Sequence, residues 1–298
     1  MTALTRRRFL FISAACSLSG PALASDARWN GAALGAAASL RLVGLSDTDA
    51  APIINAVESE MARLEEIFSL YRPDSQICKL NRYGTLSAPA PELLRVLGLC
   101  AALHQASEGA FDPSVQPLWS AMSTQPPSEN LDEVRQLIGW EKVFFDTSVV
   151  RLPVPGQSAL TLNGIAQGAI TDRIAALLRG FGLRDVLVNM GEVAALGTRS
   201  DGTPWNVGIA APDQRVLKRI SLQNRAVATS SSLGSELGPG LGHIITPNGP
   251  ARDNRTVSIS APDASLADGL STALCAAPYR QANEIARQFP GARIELDA

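Results

Sequence analysis

Near the C-terminus, Ala267-Asp268-Gly269-Leu270-Ser271-Thr272-Ala273-Leu274 sets Asp268 and Thr272 four residues apart within a helical pattern over 264–276. That spacing puts a carboxylate and a hydroxyl on one face, with Ser271 at i+3 beside them. An oxygen-only cluster suits Mg²⁺, which takes a few carboxylates, carbonyls and waters together with substrate phosphates. The same residues also fit a solvated helix cap, or a Thr bonded back to its own helix. A second candidate is Gly164-Ile165-Ala166-Gln167-Gly168, between a strand pattern at 159–162 and a helix pattern at 167–181. Such a junction offers backbone N–H groups at a positive helix end, suitable for phosphate. It is neither a P-loop nor a G-x-G-x-x-G motif, and a tight glycine turn explains the same residues.

His243, one of two histidines, precedes Ile244-Ile245-Thr246-Pro247 at a strand end. Beside a phosphate it could accept a proton or donate a charged hydrogen bond; alone, it reads equally as a structural histidine. His104 falls on an amphipathic helix, where a structural role is expected. Tyr71, in Ser69-Leu70-Tyr71-Arg72-Pro73-Asp74-Ser75, could stack on a flat ring or pack in the core. Two histidines and four cysteines exclude most His/Cys-rich metal sites, which again favours a hard cation held by oxygens.

These residues need a scaffold. Ile53, Ile54, Val57, Met61, Leu64, Ile67 and Phe68 recur at helical spacing over 50–68, after the capping candidates Asp47 and Asp49. Leu93, Leu94, Leu97, Cys100 and Leu103 predict a second helix ending near Gly109. Residues 121–130 read as a loop and 131–138 as a short helix stopped by Gly139. Ile170, Ile174, Leu177, Leu178 and Phe181 give the helix at 167–181 one apolar face. Strands are expected at 143–145, 148–152, 159–162, 186–188, 205–210, 226–229, 243–246, 256–260 and 292–296, with helices at 264–276 and 279–288. Strands and helices intermingle without βαβ alternation. That predicts a single α+β domain over 25–298, a mixed and largely antiparallel sheet flanked by helices.

The chain has 298 residues, 46% of them hydrophobic and 18% charged, which fits a folded domain. It opens Thr5-Arg6-Arg7-Arg8-Phe9-Leu10, continues apolar to Gly20 and reaches Ala22-Leu23-Ala24. This describes an export signal of the twin-arginine type over 1–24, with a periplasmic destination in a bacterium. An apolar run of about 12 residues is short of the roughly 20 that span a bilayer. A lipoprotein built on Cys16 is disfavoured by Ser13. Without the leader, Cys78, Cys100 and Cys275 read as small buried hydrophobes. Lys+Arg 26 against Asp+Glu 28 gives a net charge of −2. Removing the three leader arginines makes the chain more acidic, so no overall attraction to nucleic acid is expected.

Taken in order, Gly109-Ala110-Phe111-Asp112-Pro113-Ser114-Val115-Gln116-Pro117-Leu118, the 164–172 run, Ala228-Thr229-Ser230, the 243–247 run and Ala267-Asp268…Ser271-Thr272-Ala273 resemble the ApbE family of FAD:protein FMN transferases, from about Gly31 onward. The resemblance implies a Mg²⁺-dependent enzyme. It would cleave FAD, release AMP and attach FMN through a phosphoester to a Thr or Ser of an acceptor flavoprotein. It implies metal ligation by Asp268, Thr272 and the Gly164 carbonyl, with Ser271 where some relatives carry Asp. Leu34, Tyr71, Ala110, Phe111, Asp112, Thr161, Gln167, Thr229 and Ile245 match flavin-contacting positions, and His243 and Asp268 the catalytic ones. Gln167 replaces a frequent Lys or Glu, Thr161 a common Asp, and Gly191-Glu192 a Gly-Gly pair. Gln167 with Gly191-Glu192 looks like the branch serving nitrous oxide reduction (NosX-like), whose acceptor would be a membrane-bound electron-transfer protein facing the periplasm. Hydrolysis of FAD by water and non-catalytic flavin binding are the alternative expectations. Tyr71 favours transfer, because hydrolytic relatives can carry a smaller polar residue there.

Overall fold

The computed structural model describes residues 26–124, 130–238, 240–251 and 254–298; the expected export signal and residues 125–129 of the expected loop lie outside them. The chain starts with a hairpin, β1 (Ala27–Ala33) and β2 (Ala36–Leu42). It continues through α1 (Asp47–Phe68), α2 (Gln76–Tyr83), β3 (Thr85–Ser87), α3 (Pro91–Ala106), α4 (Gln116–Ser123), α5 (Leu131–Arg135), β4 (Phe144–Phe145) and β5 (Val149–Arg151). After α6 (Ala166–Gly180) come β6 (Val186–Asn189), β7 (Val193–Leu196), β8 (Trp205–Ala210), β9 (Val216–Leu222) and β10 (Arg225–Ser231). Four short strands follow: β11 (Glu236–Gly238), β12 (Leu241–Gly242), β13 (Ile245–Thr246) and β14 (Gly249–Pro250). The chain closes with β15 (Thr256–Ala261), α7 (Ala264–Ala276), α8 (Ala282–Arg287) and β16 (Arg293–Asp297).

The main sheet has seven strands in the order β1-β2-β6-β7-β10-β15-β16, and every pairing in it is antiparallel. Period-2 side-chain alternation sends alternate residues of its central strands to opposite faces. Val186, Val188, Ala226 and Ala228 join the core built with α1, α3, α6 and α7. Leu187, Val193, Ala195 and Val227 face the other way and meet Trp205, Val207, Ile209 and Leu222 of the β8–β9 hairpin. The central strands are therefore buried on both faces, which makes them a stiff support. A smaller cluster of Val115, Leu118, Met122, Ile138, Leu237 and Ile245 lies beneath α4.

The α+β architecture agrees with the expectation, and α7 has the anticipated bounds. Several details differ. Ser46, rather than Asp47 or Asp49, caps α1, its Oγ accepting the Asp49 N–H at 3.2 Å. Residues 159–162 form no strand; Thr161 N–H donates to the Pro113 carbonyl at 2.8 Å instead and ties two motif segments together. The 279–288 helix is a 3₁₀ turn, Tyr279–Gln281, followed by α8. Cys78, Cys100 and Cys275 are all free; Cys100 and Cys275 are buried and Cys78 is half-buried.

Helices α6 and α7 cross closely because Gly168 carries no side chain. A Cβ there would lie 2.3 Å from the Ala264 carbonyl oxygen, a backbone atom that cannot swing aside. Gly98 in α3 is the opposite case, since its Cβ would meet nothing within 4 Å. Gly168→Ala is therefore expected to destabilise the fold by roughly 1–3 kcal/mol. Gly98→Ala is expected to stabilise it by up to about 1 kcal/mol through helix propensity. Urea denaturation of the two variants beside the parent measures both signs, and equal stabilities would contradict the close crossing.

Candidate active site

Helix α7 starts without a side-chain capping bond to its own N-cap residue, Asp263. Asp172 of α6 supplies it, accepting the N–H groups of Ala264 at 2.7 Å and Ser265 at 2.9 Å and the Ser265 hydroxyl at 2.6 Å. Asp268 of α7 returns the interaction: its Oδ2 accepts the Gly168 N–H of the first turn of α6 at 2.9 Å. Each helix thus places a carboxylate on the positive end of the other. At its far end, α7 meets the buried Arg255. That guanidinium donates to the carbonyls of Leu274 at 2.6 Å and Ala277 at 2.9 Å and forks onto Asp297.

Burial pushes the Asp268 carboxyl up to about 7, with the Gly168 N–H working against the shift and the nearby Asp172 adding to it. Glu192 is also buried. Burial drives its carboxyl well above the ordinary range, the Asp268 charge adds to this, and a hydrogen bond from the Thr229 N–H opposes it. Strand β10 adds the hydroxyl of Ser230, a residue of the Ala228-Thr229-Ser230 motif to which sequence reading gave no role. Ser230 Oγ lies 2.7 Å from Ser271 Oγ and 3.0 Å from Thr272 Oγ1. Ser271 is fully buried and also donates to the Asp268 carbonyl at 3.0 Å, so the back-bonding considered for Thr272 is made by its neighbour. On the other side, Gly164 approaches Thr272 so closely that a Cβ would sit 2.8 Å from its Cγ2 and 3.0 Å from its Oγ1. Asp268, Ser271, Thr272 and Gly164 thus gather where α6 and α7 meet, with Ser230 between two of the hydroxyls.

The donor set is one desolvated carboxylate, hydroxyls and main-chain oxygen, all hard ligands. Among the described residues no three His, Cys, Asp or Glu side chains gather as a metal-binding group. The glycine junction offers fewer donors than its sequence suggests. The N–H groups of Ala166, Gly168 and Ala169 already bond to Leu162, Asp268 and Ile165. What it presents to an anion is chiefly the dipole of α6.

His243 Nδ1 lies 3.2 Å from the Ser235 nitrogen and 3.1 Å from its carbonyl, and burial holds the imidazole below its usual range. Gly234 separates it from Ser231, next to Ser230. No hydrogen bond joins His243 to Asp268, Ser271 or Thr272 among the described residues.

The remaining positions spread over several elements. Leu34 occupies the β1–β2 turn with φ +48°, and its N–H donates to Glu65 Oε1 at 3.1 Å. Tyr71 is exposed in the loop after α1. Thr161 is half-buried, its Oγ1 accepting the Asn163 N–H at 3.3 Å. Gln167 rests its amide on Gly191. Thr229 is buried and donates to Ser258 Oγ at 3.0 Å. Phe111 and Ile245 are buried in the main and the smaller core, so main chain is what they can offer a ligand. Asp112 is buried too, its Oδ1 accepting the Ser114 N–H at 2.7 Å and hydroxyl at 2.6 Å.

A cavity of about 1140 Å³ brings the second and fourth motif segments together. His104, Ala110, Asp112, Thr246 and Pro247 line it, and Cys275–Ala277 extend α7 into its wall. Leu34, Tyr71, Thr161 and Gln167 do not border it.

The ApbE family model matches residues 34–294. A protein of Treponema pallidum named FAD:protein FMN transferase is 30% identical over 273 residues, which cover 77% of this chain and 75% of its own. A Haemophilus influenzae protein of the same name is 27% identical over 257 residues, covering 78% and 74%. Among solved structures, the flavin transferase ApbE from Vibrio cholerae superposes with a TM-score of 0.79 at 23% identity, covering 91% of this chain and 93% of that one. The ApbE protein of Thermotoga maritima gives a TM-score of 0.76 at 26% identity, with coverage of 91% and 93%. The first of these likenesses speaks for the fold, the sequence matches for descent: the chain belongs to the ApbE family.

Proposed function

We propose that this chain is a Mg²⁺-dependent FAD:protein FMN transferase that joins FMN through a phosphoester to a Thr or Ser of an acceptor flavoprotein and releases AMP. The observation that carries the reading is the convergence of Asp268, Thr272 and Gly164 at the crossing of α6 and α7, reinforced by relatives that bear this name. Asp268, Thr272 and the Gly164 main chain would hold the cation. Bound there, Mg²⁺ would neutralise the pyrophosphate and orient the attacking and leaving oxygens.

The chain's own groups have separable tasks. Asp268 supplies the negative charge, already oriented by the Gly168 N–H. Ser230 fixes the Thr272 hydroxyl. Burial favours the neutral ring, and in the tautomer whose Nδ1–H donates to the Ser235 carbonyl, His243 Nε2 is the atom left to take the acceptor hydroxyl's proton. The hydroxyl oxygen then bonds to the phosphorus nearer riboflavin while that phosphorus parts from the AMP oxygen. Tyr71, exposed in the loop after α1, is the aromatic side chain that would meet the flavin or the acceptor. The arginine-led leader supports action in the periplasm, on a membrane-bound electron-transfer protein facing that compartment.

Incubation with FAD, Mg²⁺ and an acceptor domain carrying a Thr/Ser flavinylation motif tests the reading. A fluorescent flavin band surviving denaturing electrophoresis is expected; free FMN and AMP alone would establish hydrolysis instead. Asp268→Asn keeps an oxygen for the Gly168 N–H but loses the charge, so transfer is expected to fall by at least about 100-fold. Retained transfer would remove Asp268 from the cation site. The pH dependence follows from the raised Asp268 carboxyl. Without metal, its contribution to stability is complete below the unfolded-state value near 4 and is lost as pH rises through about 7. A cation competes with the proton, so Mg²⁺ is expected to raise the Tm more at pH 8 than at pH 6, and to raise it little in Asp268→Asn.

A further inference from the structure

His104 has a place in the structure that its helical spacing does not reveal. It sits in the last turn of α3 with Nδ1 3.0 Å from the Phe111 carbonyl oxygen. A carbonyl can only accept, so Nδ1 carries the hydrogen, and in the neutral tautomer that fits this contact the lone pair lies on Nε2. The Asp112 carboxylate, 3.8 Å from the same Nδ1, favours the hydrogen on that nitrogen. Nε2 has no protein partner among the described residues, and His104 lines the 1140 Å³ cavity.

The rest of the lining narrows what can enter. Glu108, Asp112 and Glu141 are acidic, and the one lining cation among the described residues, Arg135, is paired with Asp132 at 2.6 Å. Such a wall repels a pyrophosphate and welcomes hydrogen-bond donors. FAD carries donors on flat rings at both ends, an imide N–H on the isoalloxazine and an amino group on the adenine.

We propose that His104 is a substrate-binding residue whose Nε2 accepts a hydrogen bond from a ring N–H edge of FAD seated in this cavity. The inference rests on FAD being the substrate. The shared chemistry, a flat heterocycle with an N–H edge, belongs to both halves of the dinucleotide, and binding the halves separately distinguishes them.

The test compares FAD, FMN and AMP binding to the parent protein, His104→Asn and His104→Gln by calorimetry, with thermal melts alongside. In His104→Asn the amide nitrogen stands near Nδ1 and can keep the bond to Phe111, but nothing reaches the Nε2 position. His104→Gln extends an amide to that position. His104→Asn is expected to weaken FAD binding roughly 3- to 10-fold at unchanged Tm, with His104→Gln recovering most of the loss. A loss shared by FAD and FMN assigns the flavin edge, and one shared by FAD and AMP the adenine edge; either result carries the inference. Parental FAD affinity in both variants overturns it while leaving the substrate assignment intact, as does equal weakening of FMN and AMP, which would indicate general distortion. A parent protein that binds no FAD removes the substrate reading, and the inference with it.

Discussion

The structure depends on two carboxylates exchanged between α6 and α7. Asp172 caps α7, Asp268 bonds to the first turn of α6, and the partners in these contacts lie 92 to 100 residues apart in sequence. A cap of this kind contributes about 1 kcal/mol. Its geometric effect is larger, because two interlocked caps fix both the angle and the axial register of the pair. Arg255 completes the arrangement by placing a guanidinium on the carbonyls at the other end of α7. The helix that carries Asp268 and Thr272 is held at each terminus by the charge its dipole prefers.

Holding Asp268 this way keeps it dry, and a dry carboxylate beside Glu192 and Asp172 is a costly group. Its raised pKa is the visible sign of that cost. The doubly covered central sheet and the close α6–α7 crossing supply the stability that offsets it. A divalent ion would reverse the balance, turning mutual repulsion among the carboxylates into attraction toward one charge. Glu192 strengthens the field without joining a three-carboxylate metal group. It also accepts the Thr229 N–H just beyond Val193, where β7 begins and its pairing with β10 stops.

What the sequence disclosed was local chemistry. The i, i+4 relation of Asp268 and Thr272 is fixed by helix geometry, so recognising the helix was enough to place both on one face. Long apolar helices and β-branched strands were equally legible. The β1–β2 hairpin was not, because Ala32-Ala33-Leu34-Gly35-Ala36-Ala37-Ala38 contains too little contrast between alternate residues to show a period of two. The roles of Asp172 and Ser230 were invisible for another reason: each acts on residues distant in sequence, and nothing beside it marks the contact. His104 fits an amphipathic helix by spacing, yet it lines a cavity that only tertiary packing creates. Phe111 and Ile245 illustrate the converse, since motif positions suggest ligand contact while burial limits them to main-chain contributions.

The division of charge along α7 gives the site a direction. At Asp268 and Thr272 the surroundings are the positive end of α6 and a set of hard oxygens, an environment for phosphate and its counter-ion. From Cys275 to Ala277 the same helix borders the acidic cavity. Thr272 and Ala276 are separated by about 6 Å of helix rise, so the two environments adjoin. A molecule with phosphates in its middle and donor-bearing rings at its ends can occupy both at once, whereas a simple phosphate or a lone heterocycle would satisfy one. A shift of that molecule along α7 would press its pyrophosphate against Glu108, Asp112 and Glu141. The same wall that receives a ring therefore keeps the phosphates at the crossing of the helices, and position along α7 is set by repulsion as much as by contact.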